Sequence, residues 1–444
     1  MKKRYFGTDG VRGRVGEDPM TADFALRLAS AAAQVLAPDG GTVLIGKDTR
    51  LSGYMFESAM EAGFVAAGAD VLLLGPLPTP GIAYLTQLLK AKLGVVISAS
   101  HNLYHDNGIK IFNEAGGKLS DSQEAEIEKY LDQPAITRES HKLGRANRMG
   151  SSRIRYQEFC ASTFPADCTL EGVKIVFDGA NGAAYKVGPR TLGDLGAEII
   201  PIGCSPNGRN INAGCGSTEP ALLQQTVPAV RADVGIAVDG DGDRVVMVDE
   251  AGSIIDGDQL LFIVASALQR DGGLKGPVVG TVMSNLGLEH ALNRLEIEFR
   301  RAKVGDRYVL ETLRETGGSL GGETSGHVIC LDKTTTGDGL VTALQVLAVM
   351  KKTGRPLSEL AAGMSKYPQK MLNVRTSKRL DPATSNAIQD AIRAVEGELK
   401  ESGRVVLRAS GTEPVIRVMV EGRDEHQVLK LAERLAAVVA EAAA

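Results

Sequence analysis

Three successive α/β domains with mixed or parallel sheets, closed by a small C-terminal α+β domain, form the fold class that the sequence predicts. Two observations carry that prediction. A pattern of apolar strand, polar loop, helical stretch and second apolar strand recurs in the chain at starts near residues 41, 172 and 276. The strands of that pattern are continuous apolar runs, as expected where helices cover both faces of a sheet. The length of 444 residues agrees, since it accommodates about three or four domains of ~100–150 residues.

The elements follow in order. "GTVLIGKDTR" (Gly41–Arg50) opens the first unit as a strand running into a polar loop, and "AGADVLLLG" is its second strand. "VISASHNLYHDNGIKIF" (Val96–Phe112) begins as one buried strand and ends as another, broken by a polar loop. "GVKIVFDGAN" (Gly172–Asn181) and "LGAEIIPIG" repeat the plan, and "GPVVGTVMSN" (Gly276–Asn285) with "LEIEFRRAKVG" repeats it again. The spacing is too long for a solenoid. After "YPQKMLNVRTSKRLDP" come a helical pattern, "RVVLRAS", "EPVIRVMVEG" and a closing helix. Two strands and two helices there predict the α+β unit. Linkers are expected at Asp132–Ser152, near Asp249–Asp258 and around Tyr367-Pro368, giving domains 1–152, 153–254, 255–368 and 369–444.

Composition narrows the class. The chain is 43% hydrophobic and 23% charged, an ordinary globular balance with ample core. The formal net charge of −4 argues against nucleic acid or an acidic membrane surface as the main partner. Five scattered cysteines form no CxxC pair, so neither a disulfide framework nor a zinc site is suggested. The basic start MKKRYFGTDG leads into no apolar segment, and no apolar run is long enough to span a bilayer. A cytoplasmic enzyme is expected.

The most specific motif is "GIAVDGDGDRVVMVDE" (Gly235–Glu250). Asp239, Asp241 and Asp243 alternate with glycines between two apolar strands. Residues two apart in extended backbone point to one side, and glycine lets the chain curl until the carboxylates converge. A hard divalent cation relieves their repulsion, and Mg²⁺ suits a phosphate-bearing substrate. An EF-hand is rejected, because Arg244 stands where its loop needs glycine and the flanks read as strands. A solvated acidic hairpin turn is the alternative. Arg244 is placed to steady a phosphate or a carboxylate.

Ser100-His101-Asn102 interrupts an apolar run at a strand end, where open α/β sheets place ligands. A serine hydroxyl becomes useful with a base, a metal or a phosphate already attached. Alternatively Ser98 or Ser100 caps a turn, with His101 merely solvated. Lys110 lies just past the loop and reads equally as a surface lysine alternating out of a strand.

Four further loops carry polar chemistry. In "GGETSGH" (Gly321–His327), Glu323 and Ser325 can bond vicinal sugar hydroxyls, and His327 can exchange protons near neutral pH. "RASGTEP" (Arg408–Pro414) offers a guanidinium fork, the hydroxyls of Ser410 and Thr412 and the free backbone of Gly411, the makings of a phosphate nest. "YFGTDGVRG" (Tyr5–Gly13) holds Thr8, Asp9 and Arg12 in a glycine-rich loop, and "KVGDRYV" (Lys303–Val309) presents Asp306 and Arg307 at a strand end. Each of the four also reads as ordinary turn chemistry.

Together and in this order, "YFGTDGVRG", "SASHN…DNGIK", "DGDGDR", "GGETSGH" and "RASGTEPVIRVM" resemble the motifs of the α-D-phosphohexomutase superfamily over essentially the whole chain. The likeness is closest to members acting on an amino sugar phosphate, in "FGTDGVRG", "TVMSNLGLE", "KVGDRYV" and the double glycine of the GGE-x-SGH loop. One position departs: the family loop reads Ser-His-Asn-Pro, and here Leu103 replaces the proline, freeing its φ.

The resemblance implies four domains around a central cleft and a phosphoserine at Ser100. It implies Mg²⁺ held by Asp239, Asp241, Asp243 and a phosphoserine oxygen. Arg408, Ser410, Gly411, Thr412 and Arg417 would take the substrate's phosphate, with Glu323, Ser325, Asp306 and Arg307 around the sugar. Lys110 and His327 are the candidate acid and base, His101 lies beside the nucleophile, and Arg12 and Arg244 support the charge. A hexosamine or glucose 1,6-bisphosphate would serve as activator, and a homodimer through the first domain is suggested. The implied reaction moves a phosphoryl group between two positions of one sugar. A glucose or mannose phosphomutase is the alternative within the family. A serine phosphatase would need no second phosphate site, and a sugar-phosphate sensor would not need the full set of reactive groups.

Overall fold

The computed structural model describes residues 4–7, 9–376, 382–409 and 415–443. Its first sheet has six strands: β1 (Val11–Arg14), β2 (Gly41–Lys47), β3 (Ala69–Pro76), β4 (Leu93–Ile97), β5 (Asp106–Asn113) and β6 (Ala146–Arg148), in the order β1-β5-β4-β2-β3-β6. β2, β3 and β4 run parallel, as their unbroken apolar sequences require, and β5 and β1 turn antiparallel at one side. The second sheet holds β7 (Lys174–Asp178), β8 (Glu198–Ile202), β9 (Val234–Val238), β10 (Val245–Val248) and β11 (Ile254–Ile255), ordered β11-β10-β9-β7-β8. The third holds β12 (Val278–Thr281), β13 (Phe299–Ala302), β14 (Leu320–Gly322) and β15 (Val328–Cys330), ordered β13-β12-β14-β15. The three α/β units with mixed sheets are those expected.

The last sheet, β16 (Gln369–Arg375), β17 (Gly403–Ala409) and β18 (Val415–Gly422), is antiparallel in the order β16-β18-β17. It has three strands where the sequence pattern predicts two. β16 was hidden because Gln369, Lys370, Met371, Asn373 and Arg375 are exposed, leaving only Val374 buried in a run that pairs along β18. Two expected linkers also carry strand: β6 lies within Asp132–Ser152 and pairs with β3, and β11 lies within Asp249–Asp258 and pairs with β10. The glycine-rich N-terminal segment leads directly into β1.

One continuous apolar core joins the first three units, taking in Leu44, Val96 and Phe112, then Phe177 and Ile236, then Leu340 and Leu344. The fourth unit has a core of its own, with Val374, Ile388, Val418, Leu431 and Leu435. Among the described residues no helix is long and apolar enough to cross a membrane.

A buried polar contact ties the second unit to the third. Tyr156, on the helix Ser152–Ser162, donates its hydroxyl to Asp338 Oδ2 at 2.9 Å. Asp338 Oδ1 in turn accepts the backbone N–H groups of Leu340 and Val341 and caps the helix Gly339–Thr353. Tyr156→Phe should lower stability by about 1–3 kcal/mol, because it takes a donor from a buried carboxyl without changing shape. An unchanged urea midpoint would show that the bond contributes nothing.

Candidate active site

The site forms where β2, β4, β7 and β9 end, at the carboxyl edge that open α/β sheets reserve for ligands. Ser100 follows β4 and is buried. Its φ of 51° lies in the left-handed region that a serine enters only when held there. The holding groups are specific. Ser100 N donates to Ser98 Oγ at 2.9 Å, and Ser98 Oγ donates to Asp48 Oδ2 at 2.6 Å. The fully buried Arg50 bonds Asp48 Oδ2 through Nε at 2.8 Å. Its Nη2 reaches the carbonyls of Ser100 at 3.0 Å and Asn102 at 2.8 Å, and Nη1 reaches that of Leu103 at 2.6 Å. From the second unit, Asn212 Nδ2 donates to the carbonyls of Ser100 and Asn102, both at 2.9 Å. Leu103 therefore needs no proline ring to fix its place. Gly240 must lack a side chain here, since a Cβ would lie 2.5 Å from Ser100 O.

The Ser100 hydroxyl donates to Asp239 Oδ2 at 2.5 Å, and His101 Nδ1 lies 3.4 Å from the same Oγ. Asp239, Asp241 and Asp243 bring oxygens within 4.8 Å of one another on the turn between β9 and β10. All three are buried, and Asp241 Oδ1 and Asp243 Oδ1 have no hydrogen-bond partner among the described residues. Unpartnered buried oxygens in an all-carboxylate set fit a hard divalent cation.

Protein cations already crowd this cluster. Lys110 Nζ lies 2.9 Å from Asp241 Oδ2, 3.4 Å from Asp243 Oδ2 and 2.9 Å from Asp9 Oδ2. Arg244 donates its backbone N–H to Asp239 Oδ1 at 3.2 Å, and its Nε is 3.9 Å from Asp243 Oδ1. Arg12 pairs with Asp9. Lys118 bridges Asp9 at 2.5 Å and Asp306 at 2.6 Å, and His327 stands between Asp306 at 3.4 Å and Asp243 at 3.7 Å. Asp9, Lys118, Asp306, His327, Asp243 and Lys110 thus close a ring of charge drawn from three units.

The electrostatics follow from that ring. Burial, then the charges of Asp241 and Asp243, pushes the Asp239 carboxyl well above its usual range. Burial would raise Asp243 too, but Lys110, His327 and Arg244 together hold it well below. Lys110 is held well above the usual lysine range, because Asp241, Asp9 and Asp243 outweigh the cost of burying its charge. His101 is pushed down to about 4 by burial and by Arg244 and Arg12. His327 shifts the other way: burial opposes its charge, but Asp243, Asp306 and Glu323 favour it. The two imidazoles are therefore shifted in opposite directions by their surroundings.

The remaining expected residues fall in different places. Glu323, half-buried after β14, accepts the Gly305 N–H at 3.0 Å, and Ser325 is exposed at the tip of the β14–β15 turn. Arg307 turns away, to Asp121 at 2.6 Å and Glu124 at 3.8 Å on the first unit. Arg408 and Arg417 are cross-strand partners and line, with Met283 and Val304, a cavity of about 120 Å³ between the third and fourth units. Thr8, Ser410, Gly411 and Thr412 lie outside the described residues.

Sequence reading missed Asp48, Arg50, Lys118 and Asn212. The one available signal was the charged pair Asp48 and Arg50 directly after the buried strand β2, where an exposed turn needs no such pair.

The chain matches four family descriptions end to end: "Phosphoglucomutase/phosphomannomutase, alpha/beta/alpha domain I" over residues 3–136, domain II over 155–252, domain III over 256–367 and the C-terminal domain over 371–438. It is 57% identical over 444 residues to the phosphoglucosamine mutase of Methylococcus capsulatus, covering 100% of this chain and 99% of that protein. A phosphoglucomutase/phosphomannomutase family protein from Burkholderia thailandensis superposes with a TM-score of 0.81 at 25% identity, over 98% and 97% of the two chains. The N-acetylphosphoglucosamine mutase of Aspergillus fumigatus, solved with GlcNAc-6P and magnesium, gives 0.70 at 19% identity over 100% and 96%, a likeness of fold.

The clamp on the serine loop leads to a stability test. Arg50→Met leaves Asp48 buried without its cation and should cost about 3–5 kcal/mol. Urea unfolding would read this directly, and a loss below about 1 kcal/mol would remove Arg50 as the organiser of the loop.

Proposed function

The chain belongs to the phosphoglucomutase/phosphomannomutase family, and from that premise we propose that it interconverts glucosamine 6-phosphate and glucosamine 1-phosphate, supplying UDP-N-acetylglucosamine synthesis. The observation that carries the chemistry is the Ser100 hydroxyl, held in a strained, buried loop with its Oγ 2.5 Å from the aspartate cluster. The 57% full-length identity to a phosphoglucosamine mutase supports the choice of sugar.

In this reading Ser100 carries a phosphoryl group. A sugar hydroxyl attacks its phosphorus, the bond to Oγ breaks, and Oγ keeps the electron pair. The sugar becomes a 1,6-bisphosphate, turns over, and returns its other phosphoryl group to Ser100. Asp239, Asp241 and Asp243, with a phosphoserine oxygen, would hold Mg²⁺, which when bound neutralises charge on the transferring group. Arg244 brings fixed positive charge to the same place, with Arg12 beside it. Lys110 and His327 serve as acid and base, and the neutral His101 ring sits beside Oγ able to accept a proton. Glu323 and Ser325 hold the ring with Asp306 beside them, and Arg307 would reach the sugar only by leaving its pairing with Asp121 and Glu124. Arg408 and Arg417, with Ser410, Gly411 and Thr412, hold the non-reacting phosphate.

A mutase needs this second phosphate site, and a serine phosphatase does not. The reading includes a hexosamine or glucose 1,6-bisphosphate activator, a cytoplasmic location and a homodimer.

A competition decides the sugar. Glucosamine 6-phosphate and glucose 6-phosphate are mixed with the enzyme, Mg²⁺ and a trace of glucose 1,6-bisphosphate, and followed by ³¹P NMR. Glucosamine 1-phosphate should form far faster; equal or faster glucose 1-phosphate would make the protein a hexose phosphomutase. Ser100→Ala should abolish turnover in the same tube. Asp241→Asn should raise the Mg²⁺ concentration needed for half-maximal rate, and an unchanged Mg²⁺ dependence would exclude the triplet as the metal site.

A further inference from the structure

A buried carboxylate links the sugar-reading loop to the segment that carries the chain toward the fourth unit. The helix Gly257–Arg270 begins between them. Asp258, at its second position and fully buried, accepts two hydrogen bonds on Oδ2. One comes from the Thr324 hydroxyl at 2.8 Å, between Glu323 and Ser325. The other comes from the Asn285 N–H at 2.8 Å, at the carboxyl end of the third sheet. Gly257 N also donates to Thr324 O at 3.1 Å.

Asn285 passes the connection on. Its side chain brackets Tyr367, receiving the Tyr367 N–H at 3.0 Å and donating to the Tyr367 carbonyl at 3.0 Å. Tyr367 lies in the short strap that leads into β16. Lys366 beside it pairs with Asp256, the cap of the same helix, at 2.5 Å. Across the boundary, the Leu286 N–H reaches the buried Glu421 at 2.9 Å, and Arg404 bonds both Glu421 at 2.6 Å and Ser284 O at 2.5 Å. Because the fourth unit has a separate core, polar links of this kind set where its arginines stand.

We propose that Asp258 is a positioning residue of the reaction: through Thr324 and Asn285 it fixes the ring-holding loop to the strap of the phosphate-holding unit, so that the ring contacts and the distal phosphate contacts form together. The proposal rests on the functional reading above, which makes Glu323 and Ser325 the ring contacts. It gives Thr324 a task separate from its neighbours, since the Thr324 hydroxyl is engaged by the fully buried Asp258.

The test compares Thr324→Val, Thr324→Ser and Asp258→Asn in the full-length, Mg²⁺-loaded, bisphosphate-primed enzyme. Steady-state kinetics with glucosamine 6-phosphate is one readout, and amide hydrogen exchange at Asn285 and Tyr367 with and without that substrate is the other. Wild type should show slower exchange at both amides when substrate is added. Thr324→Val should lose that response and about tenfold in kcat/KM, the scale of one hydrogen bond to a charged group. Ser100 should still be phosphorylated by excess bisphosphate, at a rate lowered in step with kcat/KM, because that half-reaction uses the same ring and phosphate contacts. Asp258→Asn should move both readouts in the same direction, and Thr324→Ser, which restores the hydroxyl, should recover both. Wild-type kinetics and exchange in Thr324→Val, or a Thr324→Ser variant as impaired as Thr324→Val, would overturn the proposal. A wild-type enzyme that turns over glucose 6-phosphate instead would overturn the sugar assignment alone, and the same variants would be compared on that substrate.

Discussion

Three carboxylates buried within 4.8 Å of one another set the terms for the rest of this molecule. At an effective dielectric constant of ~20, each such pair repels by about 3–4 kcal/mol. No fold holds that arrangement unless cations surround it. Lys110, Arg244 and His327 do so directly, Arg12 and Lys118 are linked to them through Asp9, and they come from separate stretches of chain. The arrangement therefore requires the first three units to be packed together, and their continuous apolar core does that packing. The same concentration of charge, half-neutralised and shielded from water, is what a site for moving a phosphoryl group needs.

The architecture serves this cluster at each level. Parallel strands end at one edge, so loops from two sheets meet there. Ser100 is brought to Asp239 by a loop held in left-handed backbone, and the groups that hold it, Arg50 and Asn212, come from two different units. A loop fixed from both sides keeps its hydroxyl in place, as the proposed transfer through Ser100 requires. The fourth unit is joined differently. Its core is its own, and among the described residues hydrogen bonds from Leu286 to Glu421 and from Arg404 to the Val282 and Ser284 carbonyls tie it to the third unit. In the proposed reaction, that division would separate a firmly fixed Ser100 from the grip on the far end of the substrate.

Much of this was legible in the sequence where the signal is local. Asp239, Asp241 and Asp243 lie on one turn, and their spacing alone predicts convergence. Ser100 is legible as a polar break in an apolar run, and the three α/β units follow from continuous strands alternating with helices. Features were lost where the cause is a partner distant in the chain. Asn212 contacts a loop 112 residues away, and nothing in its own neighbourhood announces that. Lys118 reads as a surface residue until the third unit brings Asp306 against it. β16 was lost for the opposite reason, because a strand whose side chains mostly face water lacks the apolar pattern that marks the others. Arg307 shows that a motif does not fix a rotamer: its guanidinium pairs with Asp121 across the unit boundary.

The central claim is that Ser100 is the station through which the phosphoryl group passes, and one labelling experiment tests it most directly. The enzyme is incubated with ³²P-labelled glucose 1,6-bisphosphate and Mg²⁺, a portion is quenched and mapped by peptide, and the rest is chased with unlabelled glucosamine 6-phosphate. The account predicts label on the peptide containing Ser100 alone, leaving for the amino sugar at least as fast as the enzyme turns over. Label on another peptide, or label on Ser100 that stays while glucosamine 1-phosphate is being made, would contradict it.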